Sequence, residues 1–511
     1  MQQWPPVTMA TQHPDNASVP WWGKDAFIAT QDEIQEVMLL FKELTIDEYM
    51  WDWEGKYVDE AVGEKLFSRG QELFSKRALG RELHLTYRIP AYEDGKMHRM
   101  ARAFMNVLAL ADLARDIKAP CLPVTEMFLP LTTAAMQPLK VRAAFKEILG
   151  YHRQVFHRSK QDETELLRMF DVTPLVEDVP SLLSIEKILL PYWTSLITEN
   201  PSVQSRGQRI FLARSDPAMN SGLVPAVLAV KAALSKIQDC ADTVGIEAYP
   251  LLGTGSLPFR GSVNPQYTDT FLQQYAGVRT YSIQSAFRYD YPKEQVEKAL
   301  RIIHREAPMQ KLVPVSDADR KKIITLSALF ENIWQPTIEE IAPLINQVAA
   351  YIPPRRERLQ HIGLFGYSRG IGKVRLPRAI GFTCALYSLG IPPELIATGR
   401  GLEETQRAGL MDSIEKYYPA LRADLMHAGK YLNRENIELL AKRMPIFQDI
   451  SHGVDAIERI LGLKLGPQKP HHFIHRNLSS TILHRLQSPS PDLAILTRDI
   501  VEAGIIRKSL G

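Results

Sequence analysis

Two stretches decide the fold: FDVTPLVEDVPSLLSIEKIL (170–189) and RIFLARSDPAMNSGLVPAVLAVKAAL (209–234). In each, a short apolar run ends beside an acid, a turn follows, and an amphipathic helix begins. This strand–loop–helix unit is written twice, with Glu177 and Asp216 in matched places. In a β/α barrel such loops form the catalytic face, where acids at strand ends can hold a divalent metal. Arginines elsewhere in the chain suit an anionic substrate held on that metal. The combination predicts an enzyme acting on small phosphorylated or carboxylated molecules.

The pattern extends outward from these two units. LHLTYRIP (83–90) reads as a strand stopped by Pro90, and CLPVTEMFLPL (121–131) as another. GIEAYPLLGTGSLPFRGSVNP (245–265) reads as a strand followed by a glycine-rich loop. VRTYSIQSAFRYDYP (278–292) is a strand with a polar exit. Helical spacing of apolar residues predicts helices over 31–44, 97–116, 137–150 and most of 293–350. Residues 50–76 continue with helical patterning after an acidic–aromatic cluster, MWDWEGK, and residues 1–25 read as irregular. The segment 360–394 reads as strand, Arg-rich loop, helix and turn. Strands alternating with helices imply parallel pairing with helical crossovers. The expected class is α/β: a helix-rich (β/α)8 barrel carrying many additional helices.

No stretch of the 511 residues resembles a linker, a repeat or a low-complexity run, so one elaborated domain over 1–511 is expected. Its parts are read as an N-terminal extension over about 1–80, a barrel core over about 81–400 and a helical C-terminal part over about 401–511. A net charge of +3, from 61 basic and 58 acidic side chains, gives no electrostatic case for nucleic acid or a membrane surface. Cys121, Cys240 and Cys384 are widely spaced, without a CxxC, which argues against a disulfide framework or a structural zinc site. The N-terminus lacks the pattern of a signal peptide, and the best apolar run, LVPAVLAVKAAL, is interrupted by Lys231. A soluble, cytoplasmic protein is the expectation.

Three groups of residues carry the chemistry. Glu177 and Asp216 offer the hard oxygen ligands that Mg²⁺ prefers, with Mn²⁺ as an alternative. Arg88 ends a strand, Arg260 lies in the glycine-rich loop, and Arg369 and Arg378 bracket YSRGIGKVRLPR, with Lys373 and Arg375 between them. Guanidinium forks and glycine-exposed backbone N–H groups both suit an oxyanion. His13, in TQHPDNA (11–17), is pinned in a loop by Pro14, and an imidazole near neutrality suits a general acid or base.

Taken in order along the chain, TQHPDNA, MWDWEGK, LTYRIP, FLARSDPAMNSGLVPAVLAVKAAL, GSLPFRGSVNP, QSAFRYDYP and HIGLFGYSRGIGKVRLPRAIGFTCALYSLGIPPE resemble phosphoenolpyruvate carboxylase, in its shorter archaeal-type form. The resemblance runs over essentially the whole chain and implies a barrel of the phosphoenolpyruvate/pyruvate class. The AHPTE histidine of the family's long form, a catalytic base, is similar to His13. The metal-binding acids of PLFET and GYSDS are similar to Glu177 in PLVED and Asp216 in ARSDP. The DIRQE, SRP and LRAIPW arginines, which hold substrate, are similar to Arg88, Arg369 and Arg378. The second arginine of HGRGGSIGRGG is similar to Arg260. The chain departs from the long form where Leu252 and Thr254 stand for a loop histidine and arginine, and where Met219 and Asn220 stand in place of a lysine.

The resemblance implies carboxylation of phosphoenolpyruvate by bicarbonate to oxaloacetate and phosphate, through carboxyphosphate and the enolate of pyruvate, on a Mg²⁺ site. It also implies a homotetramer and an anaplerotic role. Competing readings are another enolate-forming lyase or mutase of the same barrel superfamily, or a catalytically silent binding protein on that fold.

Overall fold

Eight short parallel strands close into a barrel in chain order: β1 (Thr8–Thr11), β2 (Glu48–Asp52), β3 (His84–Arg88), β4 (Glu126–Leu129), β5 (Asp171–Val176), β6 (Gln208–Ala213), β7 (Ala248–Gly253) and β8 (Thr280–Ile283). β1 pairs with both β2 and β8, which closes the ring. The structure, a computed structural model, describes residues 4–92, 97–357, 370–371 and 374–511. Helices form the crossovers, so the chain is the helix-rich (β/α)8 barrel that the alternation predicts.

The boundaries within the chain differ from expectation. β1 and β2 lie in the segment read as an extension, so the barrel begins at Thr8, and it closes with Ile283 rather than near residue 400. TMAT and EYMWD are buried at every position, so neither shows the apolar–polar alternation that marks a half-exposed strand. Pro250 lies within β7, and its carbonyl accepts the Arg279 N–H at 2.8 Å. The helix predicted over 97–116 is found at Met97–Asp116.

Side chains on alternate strand positions fill the barrel in layers. At the N-terminal ends lies an ionic layer in which Arg209 bonds Glu48 and Glu126, both at 2.8 Å. Above it, Met9, Met50, Phe128, Leu175, Phe211 and Leu251 belong to one apolar cluster. Two residues further along their strands, the same inward face continues as Asp52, Glu177 and Gly253. Period-two geometry therefore delivers polar groups to the C-terminal mouth.

A second core lies between the helices that follow β6 and those that follow the barrel. The 33-residue helix Asp317–Ala349 packs against Leu223–Val244, and Trp334 Nε1 donates to Met219 O at 2.9 Å. Lys231, which interrupts the longest apolar run in the sequence, is buried and donates to Gln274 O at 2.8 Å. This helical layer braces the loops at the mouth. Among the described residues, no single helix is long and apolar enough to cross a membrane.

Candidate active site

One cleft at the C-terminal mouth is lined by His13, Arg88, Glu177, Asp216, Arg260 and Arg378, together with Ser215, Gly253, Gln284, Leu175, Phe211, Ala213, Ala379 and Ile380. The fold thus brings six of the nine residues singled out in the sequence into one place. Arg369 and Lys373 lie outside the described residues, and Arg375 is exposed on a short antiparallel strand, Val374–Arg375.

His13 follows β1, and its ring Nδ1 lies 2.9 Å from Thr11 Oγ1. Its loop is tied down by Ser285, whose Oγ accepts the N–H groups of Asp15 (2.8 Å) and Asn16 (3.1 Å) and lies 2.9 Å from His13 O. Burial lowers the His13 pKa well below its ordinary value. Arg88 acts in the same direction and Asp52 opposes it. His13 is therefore neutral at pH 7.

Arg88 is held by an acid that the sequence did not single out. The ladder places Asp52 directly beside it. Arg88 Nε bonds Asp52 Oδ1 at 3.0 Å and Nη2 bonds Oδ2 at 2.7 Å, a bidentate pair, while Glu54 Oε2 lies 3.2 Å from Nε. Burial alone would raise the Asp52 carboxyl, but Arg88 outweighs it and holds the group well below the usual range. The signal lay in MWDWEGK, but only the register of β2 on β3 turns it into a contact.

Arg260 comes from the glycine-rich loop. A Cβ at Gly255 would stand 2.6 Å from Arg260 Cζ, so the bare backbone there makes room for the guanidinium. Two buried acids secure the loop: Glu394 Oε1 accepts the Phe259 N–H at 2.7 Å, and Asp424 accepts the Ser262 hydroxyl at 2.5 Å. Burial pushes these carboxyls up to about 7 and about 6. Arg378 precedes the helix Ala379–Ser388, and a Cβ at Gly55 would come within 3.1 Å of its Nη1. Leu252, where the long form has a histidine, is buried in the core outside the barrel, and Met219 belongs to the second core. Gln284 and Ser215 are the neutral polar groups of the cleft that sequence reasoning missed.

Glu177 follows β5 and accepts the Leu131 N–H at 2.7 Å through Oε2. Asp216 stands in the first turn of Ser215–Ser221, just past β6. Two carboxylates that follow neighbouring strands, in a cleft whose other charged side chains are the arginines Arg88, Arg260 and Arg378, fit a hard divalent ion. Among the described residues, no three His, Cys, Asp or Glu side chains cluster to hold a metal. A pair of acids suits Mg²⁺ or Mn²⁺, which retain water and substrate oxygens, and does not suit a closed zinc site.

Comparison with known proteins gives the family. A family model described as phosphoenolpyruvate carboxylase matches residues 6–511. Relatives of that name include proteins from Metallosphaera sedula (37% identical, 99% of each chain) and Picrophilus torridus (35%, 99% of each). Another, from Leuconostoc mesenteroides, is 33% identical over 91% of each chain.

Proposed function

The chain belongs to the phosphoenolpyruvate carboxylase family and has that family's carboxy-lyase function, and from this premise we propose that the cleft joins phosphoenolpyruvate and bicarbonate into oxaloacetate and phosphate. The observation that carries the reading is the convergence of two carboxylates, a neutral histidine and three arginines in one cleft.

Glu177 and Asp216 would hold Mg²⁺, with Mn²⁺ as a substitute; bound there, the ion supplies Lewis-acid stabilisation of developing negative charge. Arg88 and Arg378, with Arg369 by resemblance, bind the phosphate and aim phosphorus for in-line attack. A bicarbonate oxygen attacks phosphorus and the P–O bond to the enol oxygen breaks. The products are carboxyphosphate and pyruvate enolate. His13 then takes the carboxyl proton at Nε2, the C–O bond to phosphate breaks, and CO₂ forms beside the enolate. Its methylene carbon closes the new C–C bond. For this, Nδ1 carries the other proton and donates it to Thr11 Oγ1. Arg260, among the catalytic groups, stabilises the negative charge of the reacting carboxyl. Leu175, Phe211, Ala379 and Ile380 give the cleft apolar walls that keep water from protonating the enolate.

The test is oxaloacetate formation from phosphoenolpyruvate, coupled to malate dehydrogenase, with and without bicarbonate and Mg²⁺. Turnover requiring both is expected; phosphate or pyruvate release indifferent to bicarbonate would overturn the reading. His13→Asn should keep phosphate release while lowering oxaloacetate yield on the order of 10²-fold or more. Assay of both products checks this, and wild-type yield would remove His13 from its role.

The pH dependence has a definite sign. A histidine whose pKa is depressed by burial and by Arg88 stays neutral to lower pH, so the acid limb of kcat/KM belonging to His13 should fall below 6.5. Arg88→Gln should move that limb upward. A limb at or above 6.5 in the wild type would contradict the assignment.

The reading extends to a homotetramer in the cytoplasm with an anaplerotic role. Exposed Phe473, Ile474 and Ile505 on the C-terminal helices support assembly, and three unpaired cysteines suit a reducing compartment. Light scattering on the purified protein measures the assembly directly.

A further inference from the structure

Arg260 does not reach the cleft as a free arm. A guanidinium has five N–H donors, and four of these are committed. Nε points to Ser215 Oγ (3.2 Å), Nη1 to Asp15 Oδ2 (3.0 Å) and to Gly511 O (2.6 Å), and Nη2 to Gln284 Oε1 (2.5 Å). Of the side chains in this clamp, only Asp15 carries a charge. Asp15 is itself immobile. It is fully buried, and Oδ1 accepts the Ala286 N–H at 2.7 Å and lies 3.0 Å from Ser285 Oγ. Its backbone N–H donates to Ser285 Oγ, and its carbonyl accepts the Leu510 N–H at 2.7 Å.

Asp15 also stands two residues after His13, in the same short loop. One rigid segment thus holds the proposed base at one point and grips the arginine of the glycine-rich loop at another. We propose that Asp15 is a positioning residue for Arg260, fixing the guanidinium in register with His13 so that the N–H left uncommitted among the described residues meets the reacting carboxyl group. A neutral partner could hold the same hydrogen bond but not the charge pairing that keeps a buried guanidinium in place. The inference rests on the role proposed for Arg260 and adds how that role is set.

The experiment compares Asp15→Asn, Arg260→Ala and the double variant in the full chain. It reads kcat, the KM for phosphoenolpyruvate and for bicarbonate, and the oxaloacetate-to-phosphate ratio. Asp15→Asn should lose on the order of 10–100-fold in kcat, the scale of a misplaced catalytic group, with the KM for phosphoenolpyruvate little changed. The double variant should be no worse than Arg260→Ala, because Asp15 acts through that side chain. Losses that multiply in the double variant, or an unimpaired Asp15→Asn beside an impaired Arg260→Ala, overturn the inference. A fully active Arg260→Ala instead overturns the role of Arg260 itself and takes this inference with it. Asp15→Glu keeps the charge and guards against a folding defect: it should recover part of the lost kcat, and no recovery in the folded variant also counts against Asp15.

Discussion

Glu177→Gln and Asp216→Asn should each lower oxaloacetate formation by about 10³-fold or more, and each should weaken Mn²⁺ binding to the free enzyme measured by electron paramagnetic resonance. Lewis-acid stabilisation is worth several kcal/mol, and each 1.36 kcal/mol is tenfold in rate, which sets the expected scale. The substitutions keep shape and remove one negative charge. An amide oxygen at 177 can still accept the Leu131 N–H, so the loop after β4 should hold its place. The anion side of the site should survive too, because Arg88, Arg260 and Arg378 remain in the cleft. Substrate can therefore still bind while turnover collapses. That pattern separates loss of metal from loss of fold, which would show as a lower melting temperature. Wild-type Mn²⁺ affinity in both variants would refute the pair as the metal ligands.

Much of this architecture is written locally, and what is not written locally was missed. β5 and β6 announce themselves because an apolar run, an acid and a helix follow in sequence. Met97–Asp116 is equally plain, since one apolar face repeats at helical spacing. β1 and β2 are four and five residues long and buried throughout, so they carry no period to read. Their loss displaced the barrel's boundaries by a whole strand pair. The site divides in the same way. Glu177 and Asp216 are legible at strand ends, whereas Asp52 gains its meaning only when the register sets it beside Arg88. Asp15 and Arg260 are 245 residues apart, and nothing local to either foretells the contact. Residues that line the cleft sit at strand ends, where the barrel puts its mouth; residues that hold those residues are chosen by tertiary packing.

Arg209→Met should destabilise the protein by about 3–5 kcal/mol, the cost of removing one partner from a buried ionic group. Arg209 is fully buried at the N-terminal end of the barrel, between Glu48 and Glu126, and its charge is what makes two interior carboxylates tolerable. Thr86 donates to Glu48 at 2.7 Å, but a hydroxyl does not replace a guanidinium. Burial already raises the Glu126 carboxyl with the arginine present. Without Arg209 the Glu126 carboxyl should shift further upward. A carboxyl whose folded pKa lies above its unfolded value contributes stability below the unfolded value and loses it as pH rises through the folded one. The gap in melting temperature between variant and wild type should therefore be wide at pH 8 and narrow at pH 5. Adding Glu48→Gln and Glu126→Gln should restore most of the loss at pH 8, since neutral groups need no counter-ion. Catalysis should be spared in whatever protein stays folded, because an apolar layer of Met9, Met50, Phe128 and Phe211 separates this cluster from the cleft. A variant as stable as wild type at pH 8 would mean that water or rearrangement solvates the two acids, and that the lower barrel is less tightly closed than its packing implies.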